Sequence, residues 1–206
     1  MRKMRAPEWM VAALVVGMVI CAAVYAIAAP PQRLGMALRA TARWSFLWFC
    51  LATYGGALTT LFGSRFQPLA RRGRDFGLAF AAAHLVHIAL VAWLLARSTV
   101  PFPRLQLIIF SLGVFWVYLL ALFSLGSRLS GWLGPRWWKI MRTLAVEYIV
   151  FAYAFDFGGR MLEGSRANMV FYSLLFAVAV GGPMLRLSAS IKRRSKAAIA
   201  AEPLPG

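Results

Sequence analysis

Apolar residues occur along the chain in six blocks of about 20 residues, separated by short segments that hold Gly, Pro and Arg. A helix of about 20 residues, rising 1.5 Å per residue, spans the roughly 30 Å hydrocarbon core of a bilayer. In lipid, each segment must satisfy its own backbone amides, which favours helices. The pattern predicts an all-α, polytopic membrane helical bundle of six transmembrane helices, at about 8–29, 44–62, 76–96, 105–125, 138–157 and 169–187.

The same pattern predicts a single transmembrane domain over residues 1–190, followed by a basic, disordered tail over 191–206. The first block follows basic residues and precedes an Ala-Ala-Pro-Pro segment, as a secretory signal does. Its apolar stretch of nearly 20 residues is longer than the 7–15 residues typical of a cleaved signal. We therefore expect an uncleaved first span.

Composition agrees with lipid as the solvent, because 61% of the residues are hydrophobic and only 14% are charged. The net charge of +17 would suggest nucleic acid as a partner of a soluble protein. Here the basic residues lie between the apolar blocks, where they indicate membrane topology instead, and we expect no nucleic-acid partner. Cys21 and Cys50 both fall inside apolar blocks, so no disulfide is expected.

The distribution of Lys and Arg predicts the orientation of the spans. Sixteen of the 23 basic residues lie in the N-terminus, the second and fourth connections and the C-terminus, and seven lie in the other three connections. Cytoplasmic segments carry the excess of Lys and Arg. Both termini are therefore predicted to be cytoplasmic.

Four ionisable side chains stand out deep inside the predicted spans: His84, His87, Glu147 and Asp156. Such groups are expensive in lipid and mark candidate functional sites. His84 and His87 are three residues apart and share one helix face. A histidine on such a face is used either for a hydrogen bond to another helix or as an axial ligand of heme iron.

Several short motifs, in order, resemble the ferric-reductase-like transmembrane domain family. They are RR at 71–72, GLAF at 77–80 followed by His87, LALFS at 120–124 and LGPRWWKIMR at 133–142. Together they are most similar to the six-span branch that includes the heme-binding membrane subunit of the bacterial methionine-sulfoxide reductase system. The resemblance covers roughly residues 43–157 and implies a protein of the bacterial inner membrane.

That resemblance implies heme b held between histidines of the third and fifth spans. His87 matches the third-span ligand, whereas Met141 and Ala154 stand where the family has its fifth-span histidines. Met141 can serve as a second axial ligand, since His/Met pairs occur in cytochromes, or it can simply fill an apolar slot. His84 is an alternative ligand, one turn away. The ligands present thus favour one heme or none over two.

Arg71, Arg72 and Arg142, with Lys139 beside Arg142, are candidate contacts for heme propionates, although the positive-inside bias explains the same residues. Glu147 has no obvious partner in the sequence. It can pair with a histidine, take up a proton coupled to electron transfer, or stay protonated in a polar contact.

Asp156 has a simpler account, because Arg160 follows four residues later and an ion pair within the helix is expected.

The expected function is electron transfer across the membrane, from a quinone or a flavoprotein partner to an acceptor, such as a protein, on the outer face. The chain has no flavin, nicotinamide or hydrolase motif, so if it is an enzyme it is the membrane component of an oxidoreductase system. The alternative is a divergent, heme-free member that acts as a structural or assembly subunit of a membrane complex. The missing fifth-span histidines support that alternative.

Overall fold

The computed structural model describes residues 5–99, 101–162 and 166–200, and in these segments the chain is helical apart from short connections. Two 3₁₀ turns, Pro30–Gln32 and Ser64–Phe66, precede the second and third helices. The α-helices are α1 Ala6–Ile27, α2 Arg33–Phe62, α3 Gln67–Arg71, α4 Gly73–Arg97, α5 Arg104–Leu125, α6 Ser127–Leu162 and α7 Arg166–Ala200.

Five of the described helices, α1, α2, α4, α5 and α7, are long and apolar enough to cross a membrane. The expected all-α class is confirmed, and these helices indicate a multi-pass protein in a lipid bilayer. Helix α6 contains the predicted span 138–157 but is not among the five, because Lys139, Arg142, Glu147 and Asp156 interrupt its apolar sequence. The sixth crossing remains a prediction.

Contacts between the helix ends show how the bundle is arranged. Trp9 near the start of α1 packs against Phe76 near the start of α4, and Arg74 Nε donates to Ser124 O near the end of α5. Lys192 Nζ, near the end of α7, donates to Leu61 O near the end of α2. The end of α2 is joined to the start of α4 through the short helix α3, so these two sets of contacts lie at one end of the bundle. The start of α1 and the end of α7 are therefore both at this end, which we call the basic end.

The centre of the bundle is a layer of buried aromatic rings on α2, α4 and α6. Phe49 on α2 contacts Phe80 on α4 and Tyr153 on α6, with ring centroids 5.3 and 5.8 Å apart. Phe46 packs against Phe157 at 5.0 Å. Aromatic edges and faces at such distances attract each other. Most large side chains on the periphery are apolar and exposed, as expected for helices surrounded by lipid.

Two glycines set the course of the chain near the basic end. Gly134, with φ +72°, interrupts the helical geometry of α6. Pro135 is the first residue of the part of α6 that follows, a position that suits proline. A side chain at Gly55 would lie 2.6 Å from the backbone nitrogen of Ala70, so only glycine lets α2 approach α3 this closely.

The C-terminal segment differs from its prediction. Helix α7 continues to Ala200, whereas the sequence predicts a disordered tail from residue 191, and residues 201–206 lie outside the described segments. Alanines favour the helix, and Lys192 and Arg193 anchor it to α2 through Leu61 O and Thr60 Oγ1.

Candidate functional site

Both histidines of α4 face two fully buried hydroxyls of α2. His87 Nδ1 lies 3.2 Å from Thr41 Oγ1, and His84 Nδ1 lies 3.3 Å from Ser45 Oγ. The Tyr153 hydroxyl of α6 lies 2.9 Å from the same Ser45 oxygen. We call Thr41, Ser45, His84, His87 and Tyr153 the histidine centre.

The hydroxyls determine which nitrogen of each ring carries the proton. Thr41 donates its only hydroxyl hydrogen to Ala37 O, and Ser45 donates its own to Ala42 O. With the hydroxyl hydrogens assigned in this way, each oxygen accepts from the facing Nδ1–H. Ser45 also accepts from Tyr153, so both of its lone pairs are used. This assigned network leaves the Nε2 lone pairs of His84 and His87 without a hydrogen bond among the described residues.

A heme would need open space beside these nitrogens, and other aromatic rings lie close to His84. His84 lies 5.4 Å from Phe80, 6.5 Å from Tyr153 and 5.4 Å from His87, measured between ring centroids. Ala154, which stands at a family ligand position, follows Tyr153 directly and offers no ligand atom.

Met141 does not supply the second ligand in this arrangement. It lies twelve residues before Tyr153 on α6, which corresponds to about 18 Å of helix. Because Tyr153 contacts His84, Met141 is about three turns away from the histidine centre. The described residues offer nitrogen atoms for one side of a heme but do not fit a heme held between α4 and α6.

On the other side of the aromatic layer, toward the basic end, lies a cavity of about 980 Å³. We call it the basic cavity. Its floor is apolar and its wall is formed by α2, α4, α5, α6 and α7. The floor residues are Phe49, Phe80, Val117, Leu120 and Ile149.

Four exposed basic residues surround the mouth of this cavity, and none of them forms an ion pair within the described part of the chain. Along α6, the ten residues from Lys139 at the mouth to Ile149 at the floor span about 15 Å. The mouth residues are Arg74, Lys139, Arg142 and Arg193.

An ion pair lies deeper in the cavity wall. Glu147 Oε1 accepts from Arg186 Nη2 at 2.8 Å and from Arg186 Nε at 3.2 Å. The remaining nitrogen, Nη1, is buried and has no hydrogen-bond partner. A buried donor without a partner is costly, so this nitrogen lowers the net stabilisation that the ion pair provides.

The predicted site residues are thus divided among three places. Arg142 and Glu147 line the basic cavity, and His84 and His87 lie in the histidine centre. Arg71 is exposed on α3, outside the cavity lining, and the guanidinium of Arg72 lies 5.8 Å from the Trp9 ring. The proposed propionate contacts are therefore not brought together with the histidines.

Sequence reasoning missed that Arg74, Arg186 and Arg193 share one cavity. A signal was present for Arg186, because it falls inside the predicted span 169–187, where a charge is unusual.

The expected ion pair between Asp156 and Arg160 is confirmed, with Nε 3.0 Å from Oδ1. It borders a second cavity of about 480 Å³. Cys21 and Cys50 are free, as expected.

Comparisons of the chain with protein-family models, with curated proteins and with solved structures find no match. The resemblance to ferric-reductase-like domains therefore stays a prediction from the motifs.

Proposed function

We propose that this protein is a membrane-embedded binding protein whose basic cavity receives an amphipathic anion. The observation that carries the proposal is the cavity itself, which combines an apolar floor with four basic residues at its mouth. Its volume of about 980 Å³ lies at the upper end of the range of about 300–1,000 Å³ for small-molecule sites.

The two chemistries are arranged in order along the cavity. Phe49, Phe80 and Ile149 offer apolar surface to a hydrocarbon chain, whose transfer from water is favourable. Arg142 and Lys139 offer charged donors to an acidic head about 10–15 Å away along α6. An anion with its charge at one end and an apolar tail matches this order.

We further propose six transmembrane crossings with both termini cytoplasmic, in a bacterial inner membrane. The basic end holds the clusters of Arg and Lys around the start of α4 and in the last turns of α7, as the positive-inside bias requires. In this orientation the cavity opens toward the cytoplasmic leaflet. Anionic lipid headgroups or free fatty-acid carboxylates would supply the same chemistry.

Native mass spectrometry of the full chain in dodecyl maltoside tests the proposal. We expect one saturable equivalent of dioleoylphosphatidylglycerol or of oleate, and about tenfold weaker binding of the matched phosphatidylcholine. Comparing the two anions identifies the source of the acidic group. Replacing Lys139→Gln together with Arg142→Gln is expected to weaken both anions by at least about tenfold.

The matched control replaces Arg71→Gln together with Arg194→Gln, which removes the same charge from exposed positions outside the cavity lining. This variant should bind the anions as the unaltered protein does. Equal losses in both double variants would mean that only the general positive charge attracts anions, and would contradict the proposal.

Heme-dependent electron transfer, with the heme bound by α4 rather than held between α4 and α6, is the second candidate function. The observation that favours it is the Nε2 of His84 and His87, which has no hydrogen bond among the described residues, while Nδ1 of each ring faces a hydroxyl. Metal-bound histidines likewise donate their other ring N–H to an acceptor that orients the ring. Bound heme would supply one-electron transfer between a quinone or flavoprotein donor and an outer-face acceptor. Protein purified from heme-replete cells without a Soret absorption band would exclude this function and support the heme-free alternative.

A further inference from the structure

We infer that the Glu147–Arg186 ion pair makes the basic cavity selective for ligands that are charged at one end only. This inference rests on the proposed function and adds to it the class of ligand and the residues that determine it. Among the described residues that line the cavity, this ion pair is the only acidic–basic pair.

The position of the pair is the first step. Glu147 follows Lys139 by eight residues on α6, and Arg186 precedes Arg193 by seven residues on α7. On both helices the pair therefore lies about 10–12 Å deeper in the cavity than the mouth residues Lys139 and Arg193. A tail that reaches the floor passes beside this pair.

The charges at the two levels differ. At the mouth, Arg74, Lys139, Arg142 and Arg193 have no acidic partner among the described residues, so this level attracts anions. At the deeper level, Glu147 neutralises Arg186, with 2.8 Å between Oε1 and Nη2. The pair is partly exposed, with 24% of the Arg186 side chain and 43% of the Glu147 side chain accessible, so a second anionic group there would lose part of its water and gain no net opposite charge.

The remaining nitrogen of Arg186, Nη1, is buried and so is closed off from the cavity. The deeper level therefore offers a ligand no free charge. The geometry thus favours an acidic head at the mouth and an uncharged, apolar end at the floor.

Two probes with the same hydrocarbon chain test the selectivity: dodecanoate carries one carboxylate, and dodecanedioate carries one at each end. Their dissociation constants would be measured by native mass spectrometry on the full chain, and their ratio compared between variants. Because a second carboxylate is costly in any apolar cavity, only the change in this ratio between variants reports on the ion pair.

Two substitutions are expected to shift the ratio in opposite directions. Glu147→Gln leaves Arg186 with an uncompensated charge, and should improve dodecanedioate binding relative to dodecanoate by about tenfold. Arg186→Gln leaves Glu147 uncompensated, and should weaken dodecanedioate by about tenfold relative to dodecanoate. Either variant alone decides the question if the other is not recovered as folded protein.

An unchanged ratio in a folded variant would overturn the inference. If dodecanoate still bound and depended on Lys139 and Arg142, the proposed function would survive that result. If neither probe bound saturably to the unaltered protein, the proposed function and the inference would both fail. The double variant Glu147→Gln, Arg186→Gln restores neutrality at the deeper level and should return the ratio to that of the unaltered protein.

Discussion

The histidine centre and the basic cavity lie on opposite sides of one aromatic layer, and they use polar groups in opposite ways. In the histidine centre, Ser45 is fully buried and uses its hydrogen and both lone pairs. In the basic cavity, Arg142 and Lys139 are exposed and lack an acidic partner within the described residues. The histidine centre thus joins three helices, whereas the basic residues of the cavity keep their charges unpaired within the described residues, as the proposed binding of an anion requires.

This difference separates structural from functional polarity inside one bundle. Polar groups in lipid mark function by default, but a satisfied network also holds helices together. In the sequence, His84 and His87 are candidate site residues because they are the only two histidines and lie inside a predicted span. The structure places both in contact with buried hydroxyls. The arginines of the basic cavity are harder to predict as site residues from the sequence, because they fit the ordinary positive-inside bias.

The largest effect is expected in the histidine centre. Ser45→Val removes the acceptor of His84 Nδ1–H and of the Tyr153 hydroxyl, leaving two buried donors unpaired. We expect the free energy of unfolding in detergent to fall by about 2–4 kcal/mol. Adding Tyr153→Phe should recover part of this loss, since one unpaired group is then gone. A change below about 0.5 kcal/mol would show that the network is not structural.

Next in size is the contrast between two neighbouring glycines of α2. Gly55→Ala places a methyl group 2.6 Å from the Ala70 backbone nitrogen and should destabilise the protein by about 1–3 kcal/mol. Gly56→Ala meets no atom within 4 Å and should stabilise the helix by up to about 1 kcal/mol. Thermal unfolding of the two variants side by side checks this contrast, and equal shifts would contradict it.

Filling the cavity should separate binding from stability. Gly56 lines the cavity and has open space at its side-chain position, so Gly56→Phe is expected to occupy part of the ligand volume. We expect anion binding to weaken by about tenfold, or about 1.4 kcal/mol, and the free energy of unfolding to change by less than that. Native mass spectrometry with oleate measures the first quantity. Unchanged binding would place the ligand elsewhere.

The smallest effect is expected at the other end of the bundle. Asp156→Asn breaks the partly exposed ion pair with Arg160, and such pairs contribute only about 0.3–0.5 kcal/mol. The change should leave binding in the basic cavity unaltered, which the same titration would check. A large loss of binding would connect the two ends of the bundle.

Several features of the fold were predicted because they depend on local sequence. Apolar blocks of membrane-spanning length predict α1, α2, α4, α5 and α7, since the period and length of hydrophobicity act within one segment. The ion pair of Asp156 with Arg160 was predicted for the same reason, as the spacing of four residues alone places the charges together.

Other features could not be predicted, because they depend on contacts distant in sequence. Glu147 and Arg186 are 39 residues apart, and only the packing of α6 against α7 makes them partners. Likewise, Thr41 becomes the acceptor of His87 only because α2 packs against α4. Helix α7 was expected to end early, since its anchoring to Leu61 and Thr60 is not visible in its own residues.

The sequence by itself determined that lipid surrounds this chain and that the basic residues gather toward one side, because hydrophobic length and charge bias are sums over local residues. Only the tertiary structure decided what the polar residues do. Whether a buried histidine or arginine is satisfied depends on the atoms that other helices bring within hydrogen-bonding distance. That distinction assigns the histidines to the packing of three helices and the arginines to the basic cavity.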